Sequence, residues 1–333
     1  MQFTAGTVRL AGTLTLPDTP GSHPALVLIA GGWPSDRDDS HYDGRYKIFK
    51  IIAEDLAAHG FATLRYDSPG IGGSTGGMWG QRTLNDRADE VANAIKFLKQ
   101  NTRINARRIG LLGHSEGTDV AVLVASKNQD AAFLVLLSPH AKPMREDFSA
   151  LRAGQLKEMG VSESKEDRVG WDDFYARTVW PAVKEGQTNW QGIIEQAKAI
   201  ARKAYDKQPR PEQSKFKDSD TYFQSSLDNG YLVSAQTAIP HLQSVLNHDP
   251  LKFYRQIRCP VLLVGGEADA FAADDLPALT DAVRQSGNTN SIAMIMSGAG
   301  HLLNNPADSR DQPVPKLLPA ISGWLERITS PAQ

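Results

Sequence analysis

Short apolar runs separated by stretches of helical periodicity dominate residues 1–140. They are Ala25–Ala30 (ALVLIA), Phe61–Tyr66 (FATLRY), Arg108–Gly113 (RIGLLG) and Phe133–Ser138 (FLVLLS). Each is too short for a buried helix and is bounded by Gly, Pro or Asp. Each therefore reads as a strand covered on both faces. Between them, Ile48, Ile51, Ile52 and Leu56 recur at helical spacing, and so do Val91, Ala94, Ile95 and Leu98 after a start at Asn85-Asp86. Strand–helix alternation of this kind predicts an α/β fold, a mostly parallel central sheet flanked by helices. Ahead of it, the alternation of Val8, Leu10, Leu14 and Leu16 predicts a β-hairpin turning near Ala11-Gly12.

The rhythm stops after His140. Residues 141–250 show no clear buried strand but carry Trp171, Trp180 and Trp190 and several charge-rich helical patterns. The clearest is Thr188–Tyr205, with Trp190, Ile193, Ile194, Ala197, Ala201 and Ala204 on one stripe. The polar stretch Asp206–Asp220, with two prolines, reads as a loop. Strand patterns return at Val261–Val264 and Ile292–Met296, with helices expected from Asp274 to Gln285 and from Val314 to Ile328. The expected organisation is a core in two halves, 1–140 and 251–333, split after its sixth strand by a mostly helical insertion at 141–250. The three tryptophans of the insertion read as its core.

Charge and cysteine content narrow the function. Lys plus Arg is 36 and Asp plus Glu is 38, a net charge of −2. That leaves no basic excess for nucleic acid or an anionic membrane surface. The single Cys259, before Pro260 at a strand start, excludes an intrachain disulfide and a cysteine metal cluster. The N-terminus lacks a basic start followed by an apolar run, and no stretch approaches the ~20 apolar residues of a membrane span. A cytoplasmic location is the resulting expectation.

The strongest local signal is Gly113-His114-Ser115-Glu116-Gly117. It follows a strand and opens the apolar helical pattern of Val120, Leu123 and Val124. A serine at so tight a strand-to-helix turn projects its Oγ above the sheet, and glycines two positions away on either side relieve the crowding. The helix N-terminus beneath suits a developing oxyanion. Asp269 follows the strand VLLVGG, and His301 follows the last strand, so all three fall at the carboxyl edge of the sheet. Their chain order is nucleophile, acid, base. Glu267, Asp274 and Asp275 are alternative acids, of which Glu267 reads as a loop carboxylate and Asp274 as a helix cap.

With these residues in view, the chain resembles the α/β-hydrolase superfamily over both core halves. Arg65-Tyr66-Asp67-Ser68-Pro69-Gly70-Ile71-Gly72-Gly73-Ser74 is similar to the R-Y-D-x-x-G-x-G-x-S loop of many members. The Ser115 pentapeptide and Gly298-Ala299-Gly300-His301 resemble those of bacterial carboxylesterases and serine-aminopeptidase-like hydrolases. Ala30-Gly31-Gly32-Trp33-Pro34-Ser35-Asp36-Arg37-Asp38 sits where that esterase group has H-G-x-G-P-x-D-R-D, with Ala30 in place of its histidine. The G-x-x-D spacing from Gly266 favours Asp269 as the acid. The resemblance implies a cofactor-free serine esterase with a Ser115–His301–Asp269 triad and a helical cap. Its oxyanion hole would use the backbone N–H groups of Glu116 and Gly32, with Trp33 the alternative; Pro34 has no N–H.

The expected partner is a small-molecule ester, medium to bulky and uncharged. An amide or thioester cut by the same triad is the second reading, and a non-catalytic ligand-binding protein the third. Trp33 and Trp79 are candidates for the substrate pocket or for surface packing. His114 reads as packing or hydrogen-bonding beside the nucleophile and is kept as a candidate substrate contact. His23, His41, His59, His241 and His248 show no metal-ligand spacing, so no metal is expected. Gly70, Gly72 and Gly73 lack the P-loop lysine and read as a turn. The sequence leaves the oligomeric state open.

Overall fold

A computed structural model describes residues 1–41, 43–128, 131–158, 160–246, 248–305 and 309–330. Its contacts form two compact units. One comprises Met1–Trp79, Leu84–Lys142 and Asp249–Gln333; the other comprises Gly80–Thr83 and Pro143–His248.

The first unit is built on an eight-stranded sheet, whose strands we number β1 (Gln2–Ala5), β2 (Val8–Thr15), β3 (His23–Ile29), β4 (Ala62–Tyr66), β5 (Ile104–His114), β6 (Leu134–Leu137), β7 (Val261–Gly266) and β8 (Ser291–Met296). Their spatial order is β1-β2-β4-β3-β5-β6-β7-β8. The pairs β1–β2 and β2–β4 are antiparallel, and every other neighbouring pair is parallel. The apolar runs of β3, β6 and β7 are buried because helices cover the sheet on both faces. Alternate residues Leu26, Leu28, Leu112, Val135, Leu137, Leu262 and Val264 point to one face, against Ile48 and Ile52 of the helix Ile48–Ala58 and Ile321 and Trp324 of the helix Leu317–Thr329. Fully burying such a side chain contributes roughly 1.5–3 kcal/mol. The strand β8 ends the sheet, which leaves Ile292 and Ile295 exposed.

The N-terminal hairpin corrects the sequence reading. Its turn lies at Gly6-Thr7, where Ala5 pairs with Val8 and Gly6 takes a positive φ, and β2 runs straight through Ala11-Gly12. Gly12 serves a different need. A Cβ there would sit 2.7 Å from the Arg65 carbonyl oxygen of β4, so the glycine permits close strand approach rather than a turn.

The second unit is helical among its described residues. Its helices span Met144–Glu158, Lys165–Phe174, Trp180–Glu185, Gln191–Lys207, Arg210–Gln213, Ser219–Gln224 and Leu227–Leu246. Trp190, Ile193, Ile194, Ala197, Ala201 and Ala204 are buried together, as their spacing predicts. A second cluster joins Phe148, Tyr175, Trp180 and Tyr231, with ring centroids 4.4–6.2 Å apart. Asp206–Asp220 is not a plain loop. It contains the short helix Arg210–Gln213 and the start of the helix that Asp218 caps through Thr221 N–H. Glu212 further accepts from Ser162 N–H at 2.7 Å and Gln208 donates to the Ser162 carbonyl, so polar side chains order a segment that lacks apolar periodicity.

Gly80–Thr83 joins this unit through specific contacts. Gln81 donates to the Thr237 carbonyl, and His241 Nδ1 lies 3.0 Å from the Arg82 carbonyl oxygen. The long helix leaves helical geometry at Ala238, two residues ahead of Pro240.

Candidate active site

The strand β5 ends at His114 and the next helix starts at Glu116 (Glu116–Asn128), so Ser115 occupies the turn alone. Its φ is +53°, a conformation that a side-chain-bearing residue holds only under constraint. The constraint is visible. Ser115 N–H donates to the Leu137 carbonyl at 2.9 Å, and the Ser115 carbonyl accepts from Thr118 N–H at 2.9 Å and Thr118 Oγ at 2.7 Å. A Cβ on Gly113 would overlap the Gly117 carbonyl, and one on Gly117 would overlap the Ile29 carbonyl of β3. Both glycines of the pentapeptide are therefore dictated by backbone packing.

His301 Nε2 lies 2.9 Å from Ser115 Oγ, and its Nδ1 lies 3.0 Å from Asp269 Oδ2. The imidazole is 32% exposed while the carboxylate is buried, an arrangement that leaves the His301 ring accessible and Asp269 dry. Burial disfavours the charge on Asp269, but the charge and hydrogen bond of His301 outweigh it and hold the carboxyl below its ordinary pKa. The Phe271 N–H contributes a further contact at 3.4 Å. Gly266 makes the approach possible, because a Cβ there would overlap the carbonyls of Ala299 and Gly300 just ahead of the histidine.

The other acids lie elsewhere. Glu267 accepts from Ser297 Oγ at 2.8 Å and Gly298 N–H at 2.9 Å and so ties the two loops together. Asp275 is buried against Ala141 N–H at 2.9 Å. Asp274 falls in the first turn of the helix Ala272–Gln285, whose cap position is Phe271, so the capping role read for Asp274 is corrected.

The loop after β3 passes beside Ser115. A Cβ on Gly31 would lie 3.5 Å from Ser115 Cβ, and one on Gly32 would lie 2.8 Å from Glu116 Oε2. Arg87, 7% exposed on the helix Leu84–Lys99, donates to the Glu116 carboxylate and to the Ala30 carbonyl at 2.6 Å. A buried guanidinium thus braces the loop at Ala30, the residue that stands in place of the resembled esterases' histidine. Arg87 was missed in the sequence, although its place three residues from Leu84 and four from Val91 puts it on the apolar face of the helix.

The loops after β3 and β4 are also cross-linked. Arg37 pairs with Asp67 at 2.6 Å, Arg65 pairs with Asp38, and Asp67 further accepts from Arg37 N–H and Gly73 N–H. Burial raises the Asp67 pKa, but these donors prevail and hold it below the ordinary value.

Trp33 is 50% exposed and stacks on Trp79, with centroids 6.5 Å apart and planes 17° from parallel. Exposed Met78 precedes Trp79 in the chain. His114, a candidate substrate contact, is instead 2% exposed. Its Nδ1 lies 2.8 Å from Asp39 Oδ2 and its Nε2 3.3 Å from the His301 carbonyl, so both nitrogens face protein atoms. Ser138 Oγ donates to the same carbonyl at 2.7 Å. Metal-competent donors of Asp39, His41 and His114 lie within 4.8 Å of one another. Histidine spacing alone does not reveal this group, which joins Asp39 and His41 to His114 from a distant segment.

Residues 42–307 match the sequence profile of the family described as serine aminopeptidase, S33. The chain belongs to this family of α/β-hydrolases. This S33-family chain is 29% identical to esterase EstD of Thermotoga maritima over 172 residues, 48% of this chain and 37% of that protein. It is 27% identical to polyketide transferase grgF of a Penicillium species over 117 residues, 35% of this chain and 36% of that protein. The chain thus spans little more than a third of the length of these curated relatives.

Solved structures share the fold along nearly the whole chain. The α/β-hydrolase GrgF of Penicillium sp. sh18 superposes with a TM-score of 0.59 at 18% identity, covering 98% of this chain and 97% of that one. The Pyrococcus furiosus esterase Pf2001 gives 0.57 at 16% identity, over 99% and 90% of the two chains. Est1E of Butyrivibrio proteoclasticus with ferulic acid bound gives 0.54 at 19% identity, over 98% and 96%. The S33-family chain contains no helix, among its described residues, long and apolar enough to cross a membrane.

Proposed function

We propose that this S33-family chain hydrolyses carboxylic esters of small molecules through Ser115, His301 and Asp269. The observation that carries the proposal is the continuous hydrogen-bonded path from Ser115 Oγ through the His301 imidazole to Asp269. Ser115 Oγ attacks the acyl carbonyl while His301 Nε2 takes its proton. Asp269 keeps the imidazole in the Nδ1–H tautomer and stabilises the cation that forms. The tetrahedral oxyanion collapses as His301 protonates the leaving alcohol, which leaves an acyl-enzyme. Water, deprotonated by His301, then attacks that acyl group, and the acid departs as Ser115 Oγ recovers its proton.

The oxyanion is assigned to the N–H groups of Glu116, at the helix N-terminus, and Gly32, with Trp33 as the alternative second donor. Losing one such donor typically costs about 3 kcal/mol of transition-state stabilisation. The Arg87 bridge between Glu116 and Ala30 supports this assignment, because it fixes both donor-bearing segments to one guanidinium.

Trp33, on the loop that follows β3, and Trp79, on the segment that follows β4, are assigned to the substrate as a stacked aromatic pair. The helical segment 143–248 is assigned as a cap, in keeping with a medium to bulky uncharged ester. The test is Ser115→Ala assayed on p-nitrophenyl esters, aminoacyl anilides and acyl thioesters alongside the parent enzyme. Ester turnover lost in the variant, with little anilide or thioester turnover in the parent, supports the reading. Undiminished ester hydrolysis by Ser115→Ala removes it. Preferred anilide cleavage moves the activity to amides, whose amine leaving group needs the His301 proton before expulsion.

A further inference from the structure

A second imidazole–carboxylate group stands apart from the Ser115–His301–Asp269 path. Asp39 turns its two oxygens to two imidazoles: Oδ2 lies 2.8 Å from His114 Nδ1, and Oδ1 lies 3.7 Å from His41 Nε2. Asp39 and His114 are both buried. His41 Nε2 is buried as an atom and has no hydrogen-bond partner, while the rest of its side chain is partly exposed. An unpartnered buried ring nitrogen aimed at a carboxylate is uncommon, since such groups normally find a donor or acceptor. The backbone is committed to the arrangement. Asp39 holds a φ of +48°, with its N–H on the Asp36 carbonyl, and Ser40 is tied to the Asp36 carboxylate.

We propose that Asp39, His41 and His114 form a site for a divalent transition-metal ion of the zinc type. The donor set is two imidazoles and one carboxylate, which suits zinc and its first-row neighbours over magnesium or calcium. Bonds of about 2.0–2.2 Å in tetrahedral geometry place donors about 3.3 Å apart. One ligand atom from each of the three residues lies within 4.8 Å of the others, so side-chain rotations bring them to that spacing. The ion takes one Asp39 oxygen, His41 Nε2 and His114 Nδ1, with water in the fourth position. Ligation at Nδ1 fixes His114 in the tautomer that carries its proton on Nε2, which then donates to the His301 carbonyl, 3.3 Å away. Metal-bound histidines usually anchor their other N–H in this way, on a carboxylate or a backbone carbonyl. The ion would therefore stiffen the segment that carries His301, through the His114 contact with its carbonyl.

The test is a Co2+ and Zn2+ titration of the chelator-treated, dialysed protein, read by visible absorption, by bound metal per chain and by thermal melting. The site predicts one Co2+ per chain with the absorption of a nitrogen-ligated four-coordinate ion, displaced one for one by Zn2+, and a metal-dependent rise in Tm. Removing a direct ligand costs more than the 10–100-fold typical of an outer partner, so His41→Ala and His41→Gln lose the absorption and the Tm rise. Both replace a partly exposed side chain, and circular dichroism confirms their fold. His301→Ala keeps the binding. Absence of stoichiometric Co2+ in the parent protein overturns the site, as does equal binding in folded His41 variants. Binding lost in His301→Ala but kept in His41→Ala also overturns it, by placing the ion on the catalytic histidine. None of these readouts uses ester turnover, so their outcome is independent of the proposed activity.

Discussion

The guanidinium of Arg87 donates to the carbonyl of Ala30 at 2.6 Å, and through its other nitrogen it pairs with Glu116, the residue after Ser115. One buried cation therefore holds both segments assigned to the oxyanion hole. Replacing it with an apolar residue strands the Glu116 carboxylate in a buried site, a change that typically costs about 3–5 kcal/mol. Arg87→Met is expected to lower urea stability by that order and to reduce kcat more than it raises KM. The double variant Arg87→Met/Glu116→Gln removes the stranded charge and is expected to recover part of the stability while kcat stays low. Equal kcat in the single variant and the parent would detach the bridge from catalysis.

Asp269 is expected to act through the imidazole alone. Asp269→Asn preserves shape and a hydrogen bond to His301 Nδ1, but the amide N–H favours the tautomer with its proton on Nε2. That tautomer cannot accept the Ser115 proton, and in triads of this kind the exchange lowers kcat by about 10^4-fold. Circular dichroism and melting temperature are expected to change little. The measurement is kcat on an activated aryl ester, and a drop of less than tenfold would assign the orienting acid elsewhere.

A methyl group at Gly266 has no room. It would collide with the carbonyls of Ala299 and Gly300, backbone atoms that cannot rotate aside, so the His301 loop must move. Overpacking of this kind costs roughly 1–3 kcal/mol. A displacement near 1 Å at the reacting groups costs about 100-fold in rate. Gly266→Ala is expected to fold, to lose about that much kcat, and to label slowly with a fluorophosphonate probe although Ser115, His301 and Asp269 are all present. Parent-like labelling would show that the loop tolerates the methyl.

These expectations rest on unequal amounts of sequence information. The buried strands were legible because a strand covered on both faces is apolar without interruption, as in Leu134–Leu137. The three residues joined by the Ser115–His301–Asp269 hydrogen bonds were legible because each follows a strand end and a glycine that the backbone requires. The braces were not. Arg37–Asp67 and Arg65–Asp38 join loops that meet only because β3 and β4 are neighbours, a fact of sheet order rather than of local pattern. Gly12 was misread because turn formation and close strand approach both select glycine, and only the register of β2 on β4 separates them. The partner of His114 was not legible, because the elbow motif fixes the direction of Ser115 but says nothing of its neighbour's contact with Asp39.

The helical unit carries a pH signature of its own. Asp228 is buried beside Arg152 and accepts from Tyr175 Oη at 3.0 Å, while Arg152 also pairs with Glu163. Burial outweighs the attraction of Arg152 and the hydrogen bond of Tyr175 and raises the carboxyl from 3.8 to about 6. The sign follows from linkage. Below about pH 4 both folded and unfolded chains hold the proton, and the site is neutral to stability in that respect. Between about pH 4 and 6 the unfolded chain ionises while the folded one keeps its proton, so stability falls as pH rises. Above about pH 6 the folded chain carries the full penalty of a buried charge, on the order of 3 kcal/mol for a shift of this size. Asp228→Asn keeps an acceptor for Tyr175 and cannot ionise. Melting curves of parent and variant are therefore expected to diverge as pH rises from 4 to 7, with the parent losing stability relative to Asp228→Asn, and to run parallel from 7 to 8. A difference that stays constant from pH 4 to 7 would mean that Asp228 titrates alike in the folded and unfolded chains.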